Sequence, residues 1–377
     1  MEYTRLFAEL RSIYNPGTEE IRIPDSGIRI INNAFFSDYS PEEFLNESDF
    51  SIRENLSFTY PVFIPEGTKT GKVILLLHGL NERSWIKYLV WAYSLTRLTG
   101  SYVILFPISF HINRSPESWK DPRAMNGLIR ERKWKRGDDR LTSFANIAIS
   151  ERLTEDPRRF LNSGYQTVRD LEDLMISIRD GKHPVIPGGS KVNLFAYSIG
   201  AFLAEIIMMA DPNDLFSSSK LFMFCGGSVF SNMNGASRLI MDNEAYNRVY
   251  KYYLEDFETE ITTGRRFMNS VLSTRIGIAF RSMIDFARFR KFREKSLTIL
   301  GDRILSIGLA RDTVIPADGI MKTLRFQPEK RTNRVEIWDF EYPYSHENPF
   351  PVYKTSESHL VDSSFSRMIN AAAGFLL

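Results

Sequence analysis

One serine in the sequence stands between a predicted buried strand and a predicted helix. The apolar run Lys191–Ala196 is typical of a buried strand, and Ala201–Ala210 has the pattern of a helix. Ser198 lies between them, with Ala196 two positions before it and Gly200 two positions after it. A serine hydroxyl is a weak nucleophile unless its surroundings activate it, and a sharp strand-to-helix turn lifts it above the sheet at the positive end of the helix. Because such a turn needs small flanking residues, the pattern predicts that Ser198 is a nucleophile.

This arrangement resembles the nucleophile turn of the α/β-hydrolase superfamily, and the resemblance covers roughly residues 55–377. The family usually has Gly-x-Ser-x-Gly, whereas this sequence has Ala196 in place of the first glycine, as some lipases of the family do. The resemblance implies catalysis by a serine, an acid and a histidine, in that order along the chain.

The resemblance also implies which residues complete this triad. Asp312 follows the apolar run Ile304–Leu309 and precedes Thr-Val-Ile-Pro, a loop similar to the family's Asp-x-Val-x-Pro. The alternative is that Asp312 only caps the helical turn that follows it. His346 follows the run Val335–Phe340 and occupies the family's position for the base, and His359, near the last helix, is the alternative.

The loop after an earlier strand is expected to stabilise the negative charge that an acyl transfer builds on the carbonyl oxygen. The resemblance implies that one donor is the backbone N–H of Ile199 and that the other is the N–H of Leu80 or Asn81. His78 and Gly79 begin that loop, and we predict that His78 shapes it rather than acting as a base.

Four residues are candidates for the walls of the substrate pocket. They are His78 and Gly79, His111 just beyond the strand Tyr102–Ile108, and Tyr197 directly before the nucleophile.

Six apolar runs predict the strands that position these residues. They are Lys72–Leu77, Tyr102–Ile108, Lys191–Ala196, Leu221–Cys225, Ile304–Leu309 and Val335–Phe340. Strands that are apolar on both faces are typical of a parallel sheet covered by helices on both sides. Helical patterns separate the runs, at Ile86–Thr99, Tyr165–Arg179, Ala201–Ala210 and Ser364–Leu377. This alternation predicts a doubly wound, mostly parallel sheet, with ligands bound at the carboxyl ends of the strands. The resemblance implies that this sheet is of the α/β-hydrolase type.

The remaining segments are predicted to extend this core. Residues 1–70 are expected to add edge strands, including Ile21–Ile23 and Phe58–Ile64, before the hydrolase core of residues 71–377. Two inserts, at about 110–162 and 229–297, are predicted to form a helical cap over the site. The second contains the helix-like pieces Ala245–Phe257 and Arg281–Lys295, and a separate second domain is the alternative.

Composition excludes several classes of function. The 48 Lys and Arg residues nearly balance the 46 Asp and Glu residues, giving a formal charge of +2 and no strong field for nucleic acid. The single cysteine, Cys225, excludes an intramolecular disulfide and a zinc site built from several cysteines. No apolar run approaches the ~20 residues of a membrane span, and no secretion signal is visible, so the expected location is the cytoplasm.

These features together predict a serine hydrolase that cleaves a carboxylic ester or related acyl bond of a small molecule, without a metal or organic cofactor. An acyltransferase or a peptidase with the same triad is one alternative. A non-catalytic binding protein on a hydrolase scaffold is another, because a fold does not dictate a function.

Overall fold

The computed structural model describes residues 2–39, 47–67, 70–263, 270–326, 334–352 and 357–377. They form a mixed α/β fold around a nine-stranded, mostly parallel sheet. In chain order the strands are β1 (Glu20–Ile23), β2 (Ile28–Phe36), β3 (Ser57–Pro65), β4 (Lys72–Leu77), β5 (Tyr102–Phe106), β6 (Lys191–Tyr197), β7 (Leu221–Phe224), β8 (Ile304–Leu309) and β9 (Arg334–Trp338).

The sheet has the spatial order β1-β2-β3-β5-β4-β6-β7-β8-β9. The first three strands are antiparallel to their neighbours, and all pairs from β5 to β9 are parallel. The six strands expected from apolar runs are therefore β4 to β9, and the mixed α/β class is confirmed. β2 was not expected, because its polar Asn32 and Asn33 interrupt the apolar pattern.

Helices cover both faces of the sheet. They are α1 (Tyr3–Ile13), α2 (Glu47–Phe50), α3 (Arg53–Leu56), α4 (Ile86–Thr99), α5 (Pro122–Arg136), α6 (Ile147–Glu155), α7 (Arg159–Arg179), α8 (Ile199–Ala210), α9 (Asn243–Lys251), α10 (Phe257–Thr263), α11 (Arg275–Ser282), α12 (Arg290–Leu300), α13 (Ala317–Leu324) and α14 (Ser358–Leu376). None of the helices in these described ranges is both long and apolar enough to cross a membrane.

Two hydrophobic clusters pack against opposite faces of the sheet. Val73, Leu75 and Leu77 of β4 enter one cluster, and Ile74 and Leu76 enter the other, as the two-residue repeat of a strand requires. The first cluster also holds side chains of α7 and α8, and the second holds those of α1, α4 and α14. Both faces are therefore covered, which explains why the central strands are apolar throughout.

The helix expected at Arg281–Lys295 is wrong, because the structure has two helices there, α11 and α12. Asp285 Oδ1 accepts hydrogen bonds from the backbone N–H groups of Ala287 and Arg288 between them. Phe289 then takes a left-handed conformation, with φ of 46°. A side chain that bonds to nearby backbone N–H groups competes with helical hydrogen bonds, so the helix ends and restarts.

The described helices of the segment 229–297, among them α11 and α12, pack against α8. The apolar side chains Phe257, Leu272 and Phe280 of this segment belong to the same hydrophobic cluster as those of β4 and α8. The piece expected at Ala245–Phe257 lies in α9, a π-helical turn at Tyr252–Asp256 and the start of α10. The cap boundaries at 110–162 and 229–297 stay predictions.

Candidate active site

Ser198 lies in a strained turn between β6 and α8. Its backbone has φ of 57° and ψ of −122°, and α8 begins at the next residue. A non-glycine residue in such a conformation costs on the order of 1–3 kcal/mol and persists only where the surroundings impose it. Gly200 allows the turn to pack, because a Cβ there would lie 2.6 Å from the carbonyl oxygen of Leu77. The small residue expected after the serine thus permits contact between α8 and the end of β4.

Ser198, His346 and Asp312 form a continuous chain of hydrogen-bonded side chains. Ser198 Oγ lies 2.6 Å from His346 Nε2, and His346 Nδ1 lies 2.7 Å from Asp312 Oδ2. All three residues are buried. A carboxylate only accepts, so His346 Nδ1 carries the proton and donates it to Asp312. In a neutral ring this leaves the lone pair of Nε2 directed at the serine hydroxyl.

Asp312 uses its two carboxyl oxygens for different partners. Oδ1 accepts the backbone N–H groups of Val314 and Ile315, each at 2.9 Å, while Oδ2 receives His346. The capping role considered from the sequence is therefore present together with the contact to His346. Because the backbone bonds fix the carboxylate, they also fix the orientation of the imidazole.

Tyr197 supports His346 from behind. The two rings stack with centroids 5.6 Å apart and an interplanar angle of 16°. The Tyr197 hydroxyl donates a hydrogen bond to the carbonyl oxygen of His346. Tyr197 was expected in the pocket wall, but it packs instead beneath the histidine. Gly79 allows this packing, since a Cβ there would lie 3.1 Å from the Tyr197 ring.

His78 is a structural residue of the loop after β4. Its Nδ1 donates to the carbonyl oxygen of Gly79 at 2.8 Å, and its Nε2 accepts the backbone N–H of Ile108 at 2.9 Å. Burial is the main cause that lowers the pKa of His78 well below its usual value of 6.5. A neutral ring with both nitrogens engaged joins the loop to the end of β5. The N–H of Gly79 donates to the Tyr88 hydroxyl at 3.0 Å.

The sequence resemblance implies that Leu80, Asn81 and Ile199 are the candidates for the oxyanion donors. Ile199 is the first residue of α8, where backbone N–H groups lack helical partners. Leu80, Ile199 and Ser198 line the same small cavity. Asn81 has a left-handed backbone, with φ of 59°. Its Nδ2 donates to the carbonyl oxygens of Ala145 and Leu239, each at 2.7 Å, which ties this loop to both inserts.

His359, the other candidate for the base, lies exposed on the first turn of α14. His346, in contrast, is buried against Ser198 and Asp312.

Two cavities lie beside the turn that carries Ser198, and Ser198 itself lines the smaller one. The smaller, of about 40 Å³, is lined by Ser198 and by apolar residues that include Phe230, Ile240 and Val314. The larger, of about 110 Å³, extends between α7, α8 and α11, and His111 forms part of its wall. Three residues line both cavities: Leu80, Phe160 and Ile199.

Cys225 completes a group of potential metal ligands with Asp312 and His346. One donor atom from each residue lies within 4.8 Å of the others. Burial is the main cause that raises the pKa of the Cys225 thiol well above its usual value of 9.0. A metal ion needs the thiolate and a free histidine nitrogen. The thiol is protonated and His346 Nδ1 is bonded to Asp312, so the arrangement favours the Asp–His contact over a metal.

Residues 41–377 match the family described as "Family of unknown function (DUF6051)". The chain belongs to this family. No curated protein matches the sequence.

Several solved structures are similar to this DUF6051 chain. Carboxyl esterase 2 of the mycorrhizal fungus Tuber melanosporum is 8% identical, with a TM-score of 0.48 and coverage of 98% of this chain and 96% of that one. An esterase of Pyrobaculum calidifontis is 12% identical, with a TM-score of 0.43 and coverage of 98% and 91%. A cold-adapted esterase from an Arctic intertidal metagenomic library is 10% identical, with a TM-score of 0.42 and coverage of 97% and 100%.

Sequence reasoning missed several residues of this DUF6051 site. Phe160 lines both cavities, and Tyr88 and Lys87 hold the loop after β4 through hydrogen bonds to Glu82. Phe160 lies at the start of the long amphipathic helix α7, so nothing in the sequence distinguishes it from the other apolar residues of that helix. The Glu82 contacts join residues five and six positions apart across a turn, a spacing with no periodic signature.

Proposed function

We propose that this protein is a serine hydrolase that cleaves a carboxylic ester through an acyl-enzyme intermediate. The observation that supports this most directly is the buried chain from Ser198 Oγ to His346 Nε2, at 2.6 Å, and from His346 Nδ1 to Asp312 Oδ2, at 2.7 Å. These are the contacts that a nucleophile, its general base and an orienting carboxylate require.

The proposed reaction uses this chain twice. Ser198 Oγ attacks the ester carbonyl carbon while its proton passes to His346 Nε2. The protonated imidazole, stabilised by Asp312, gives that proton to the leaving alkoxyl oxygen as the carbon–oxygen bond breaks. Water then attacks the acyl-enzyme, with His346 again taking a proton, and the acid leaves as Ser198 regains its hydrogen.

The charge that develops on the carbonyl oxygen needs donors already in place. We assign this role to the backbone N–H of Ile199 and the N–H of Leu80 or Asn81. The Asn81 side chain holds the loop by two hydrogen bonds, and the Gly79 N–H is already bonded to Tyr88. A loop fixed before the substrate arrives stabilises the transition state without reorganising.

The cavities favour an ester over a peptide. The smaller one is lined almost entirely by apolar side chains. The larger is lined mainly by apolar side chains, and its wall also includes the charged side chains of Glu82, Arg83, Arg152 and Arg159. A peptide would bring additional backbone N–H and C=O groups into apolar surroundings, where each unpaired group is costly. An acyltransferase with the same triad remains the second candidate, because the acceptor rather than the triad separates the two activities.

A panel of p-nitrophenyl esters of increasing acyl length tests the proposal. We expect release of nitrophenol by the wild-type protein, and a fall in kcat of about 10⁴-fold or more for Ser198→Ala, which loses the nucleophile. Activity of folded Ser198→Ala equal to that of the wild type would contradict the proposal. Release that depends on an added alcohol would identify the acyltransferase instead.

A further inference from the structure

Lys87, in the first turn of α4, joins the loop that carries His346 to the loop after β4. Its Nζ donates to the carbonyl oxygen of Glu347, the residue after His346, at 3.2 Å. Nζ also donates to Oε1 of Glu82, in the loop after β4. The side chains of Lys87 and Glu82 are only 16% and 21% exposed, so water and salt screen this ion pair less than a pair on the open surface.

The contact with Glu82 extends through Tyr88 to the start of the loop after β4. Glu82 Oε1 accepts the Tyr88 hydroxyl at 2.8 Å, and that hydroxyl accepts the backbone N–H of Gly79 at 3.0 Å. Leu80 and Asn81, the candidates for the second oxyanion donor, lie between Gly79 and Glu82. These hydrogen bonds therefore hold the loop on both sides of the two candidates.

The second contact of Lys87 holds the backbone around His346. The Tyr197 hydroxyl donates to the carbonyl oxygen of His346, and Lys87 donates to the next carbonyl oxygen, that of Glu347. Lys87 Nζ also lies 4.6 Å from the centroid of the Tyr197 ring, which stacks on the imidazole. A cation at this distance from an aromatic ring is attracted to it. Two successive carbonyl groups of the histidine loop are thus held by side chains that contact each other.

The position of Lys87 is unfavourable for the helix that carries it. The first turn of α4 contains no acidic residue, and Trp85 at its N-cap makes no capping hydrogen bond through its side chain. A helix N-terminus is the positive end of the helix dipole, so an ammonium group there is repelled. Helix stability alone favours an acidic residue at this position, whereas the contacts with Glu82 and Glu347 require a cationic donor.

We propose that Lys87 is a positioning residue that holds His346 and the loop after β4 in a fixed arrangement. This inference rests on the proposed function, because it adds a residue to the same reaction. A proton moves from Ser198 to His346 while negative charge develops on the substrate oxygen, so a small displacement between the two loops slows the step. The described residues that line the two cavities beside Ser198 do not include Lys87. Its loss should therefore lower kcat and leave KM almost unchanged.

Lys87→Met tests the inference, because methionine keeps an unbranched side chain and lacks the ammonium group. We expect kcat for p-nitrophenyl acetate to fall about 10- to 100-fold, the loss that follows a small misplacement of catalytic groups. KM should stay within about twofold of the wild-type value. Lys87→Arg keeps a cation with N–H donors and should recover kcat to within about fivefold of the wild type.

Lys220→Met is the matched control. Lys220 Nζ donates to the carbonyl oxygen of Phe375 at 2.8 Å and lies 5.6 Å from the centroid of the Phe375 ring. Lys220 directly precedes β7, so it lies at the amino ends of the parallel strands, opposite the loops of the site. Each variant loses an ammonium group bonded to a backbone carbonyl, but Lys220→Met should keep the kcat of the wild type.

A double variant separates positioning from general damage to the protein. Because Lys87 acts through the placement of His346, Lys87→Met should lower kcat by less than about threefold further when His346→Ala has already removed the base. A loss as large as that in the wild-type background would show that Lys87 acts elsewhere, and would overturn the inference.

Wild-type kcat in folded Lys87→Met would also overturn the inference, as would a loss confined to KM or equal losses in Lys87→Met and Lys220→Met. Any of these results, beside a wild-type protein whose activity depends on Ser198, would leave the proposed function in place. A wild-type protein that hydrolyses no ester would overturn the proposed function and this inference with it.

Discussion

The strand–turn–helix geometry around Ser198 could be predicted from sequence because its pattern is local. A strand, a small residue, the serine, a glycine and a helix occupy consecutive positions, and the glycine at position 200 has a steric reason in the contact with β4. Asp312 and His346 are separated from the serine by long stretches of chain. Their assignment depended on a family resemblance. In the structure His346 lies within hydrogen-bond distance of Ser198, and Asp312 lies within hydrogen-bond distance of His346.

Replacing each candidate base separately tests the assignment at this scale. His346→Ala should lower kcat nearly as far as Ser198→Ala does, and the double variant little further, because the two residues act as one unit. His359→Ala is the matched control and should keep most activity, since His359 lies exposed on α14. Ester hydrolysis with circular dichroism of each variant provides the measurement. A dead His359 variant beside an active His346 variant would reverse the assignment.

The contacts around His111 could not be derived from sequence. Ser109 and His111 are neighbours in the chain, but Ser163 comes from α7 and bonds to the same carbonyl oxygen. Nothing in either local pattern indicates that they meet. The shared hydrogen bonds to Ser109 depend on how α7 packs against the loop after β5, and this packing has no pattern in the sequence.

At the scale of elements, α8 contains an ionisable group that the proposed reaction does not use. Glu205 is fully buried, and neither carboxyl oxygen has a hydrogen-bond partner among the described residues. Burial is the main cause that raises its pKa well above the usual 4.5, and Arg293 opposes the shift. The folded protein therefore keeps the proton on Glu205 at pH values where the unfolded chain has lost it.

Glu205→Gln should remove a pH-dependent loss of stability. Above about pH 4.5 the unfolded state binds fewer protons than the folded state, so the free energy of unfolding of the wild type falls as pH rises towards the folded pKa. Glutamine has a similar shape and no proton to lose, so the variant should gain stability over the wild type by up to about 1.4 kcal/mol per pH unit in that window. Melting temperatures of both proteins from pH 5 to pH 9 provide the measurement. Glu66→Gln, at an exposed turn, is the control, and a parallel pH dependence in Glu205→Gln and the wild type would refute the explanation.

Helix α11 should influence which esters react. Ile276 on this helix lines the larger cavity, so Ile276→Trp should fill part of it. We expect kcat/KM for a hexanoyl ester to fall about tenfold, the loss that follows when apolar contacts are replaced by a clash, and kcat/KM for the acetate to change little. Ile299→Trp on α12, where Ile299 is 65% exposed, is the matched control. Equal losses on both esters in folded Ile276→Trp would argue against a role for this helix in selectivity.

The elements differ in how well the sequence predicts them. The central strands were predictable because both of their faces are buried, which leaves unbroken apolar runs. α11 and α12 were not separated, because the break depends on Asp285 bonding to backbone N–H groups and on the left-handed Phe289. Periodicity reports which faces are apolar but does not detect such a local competition for hydrogen bonds.

At the scale of the whole molecule, the sheet order explains why the site lies where it does. β4, β6 and β8 run parallel to one another, so the loops carrying Leu80, Ser198 and Asp312 leave the same edge of the sheet. The parallel core could be predicted from sequence, because buried strands alternate with helices. The packing of the inserts against that core could not, because their pattern suits either a cap or a separate domain.

The central claim is that Ser198 is a nucleophile activated by His346. Treatment of the wild-type protein with a fluorophosphonate, followed by proteolysis and mass spectrometry, tests it directly, because such probes form a covalent bond with an activated serine. The adduct should map to Ser198, and labelling should be lost in Ser198→Ala and greatly slowed in His346→Ala, while His359→Ala labels like the wild type. Full labelling of folded Ser198→Ala, or an adduct on another residue of the wild-type protein, would contradict the claim.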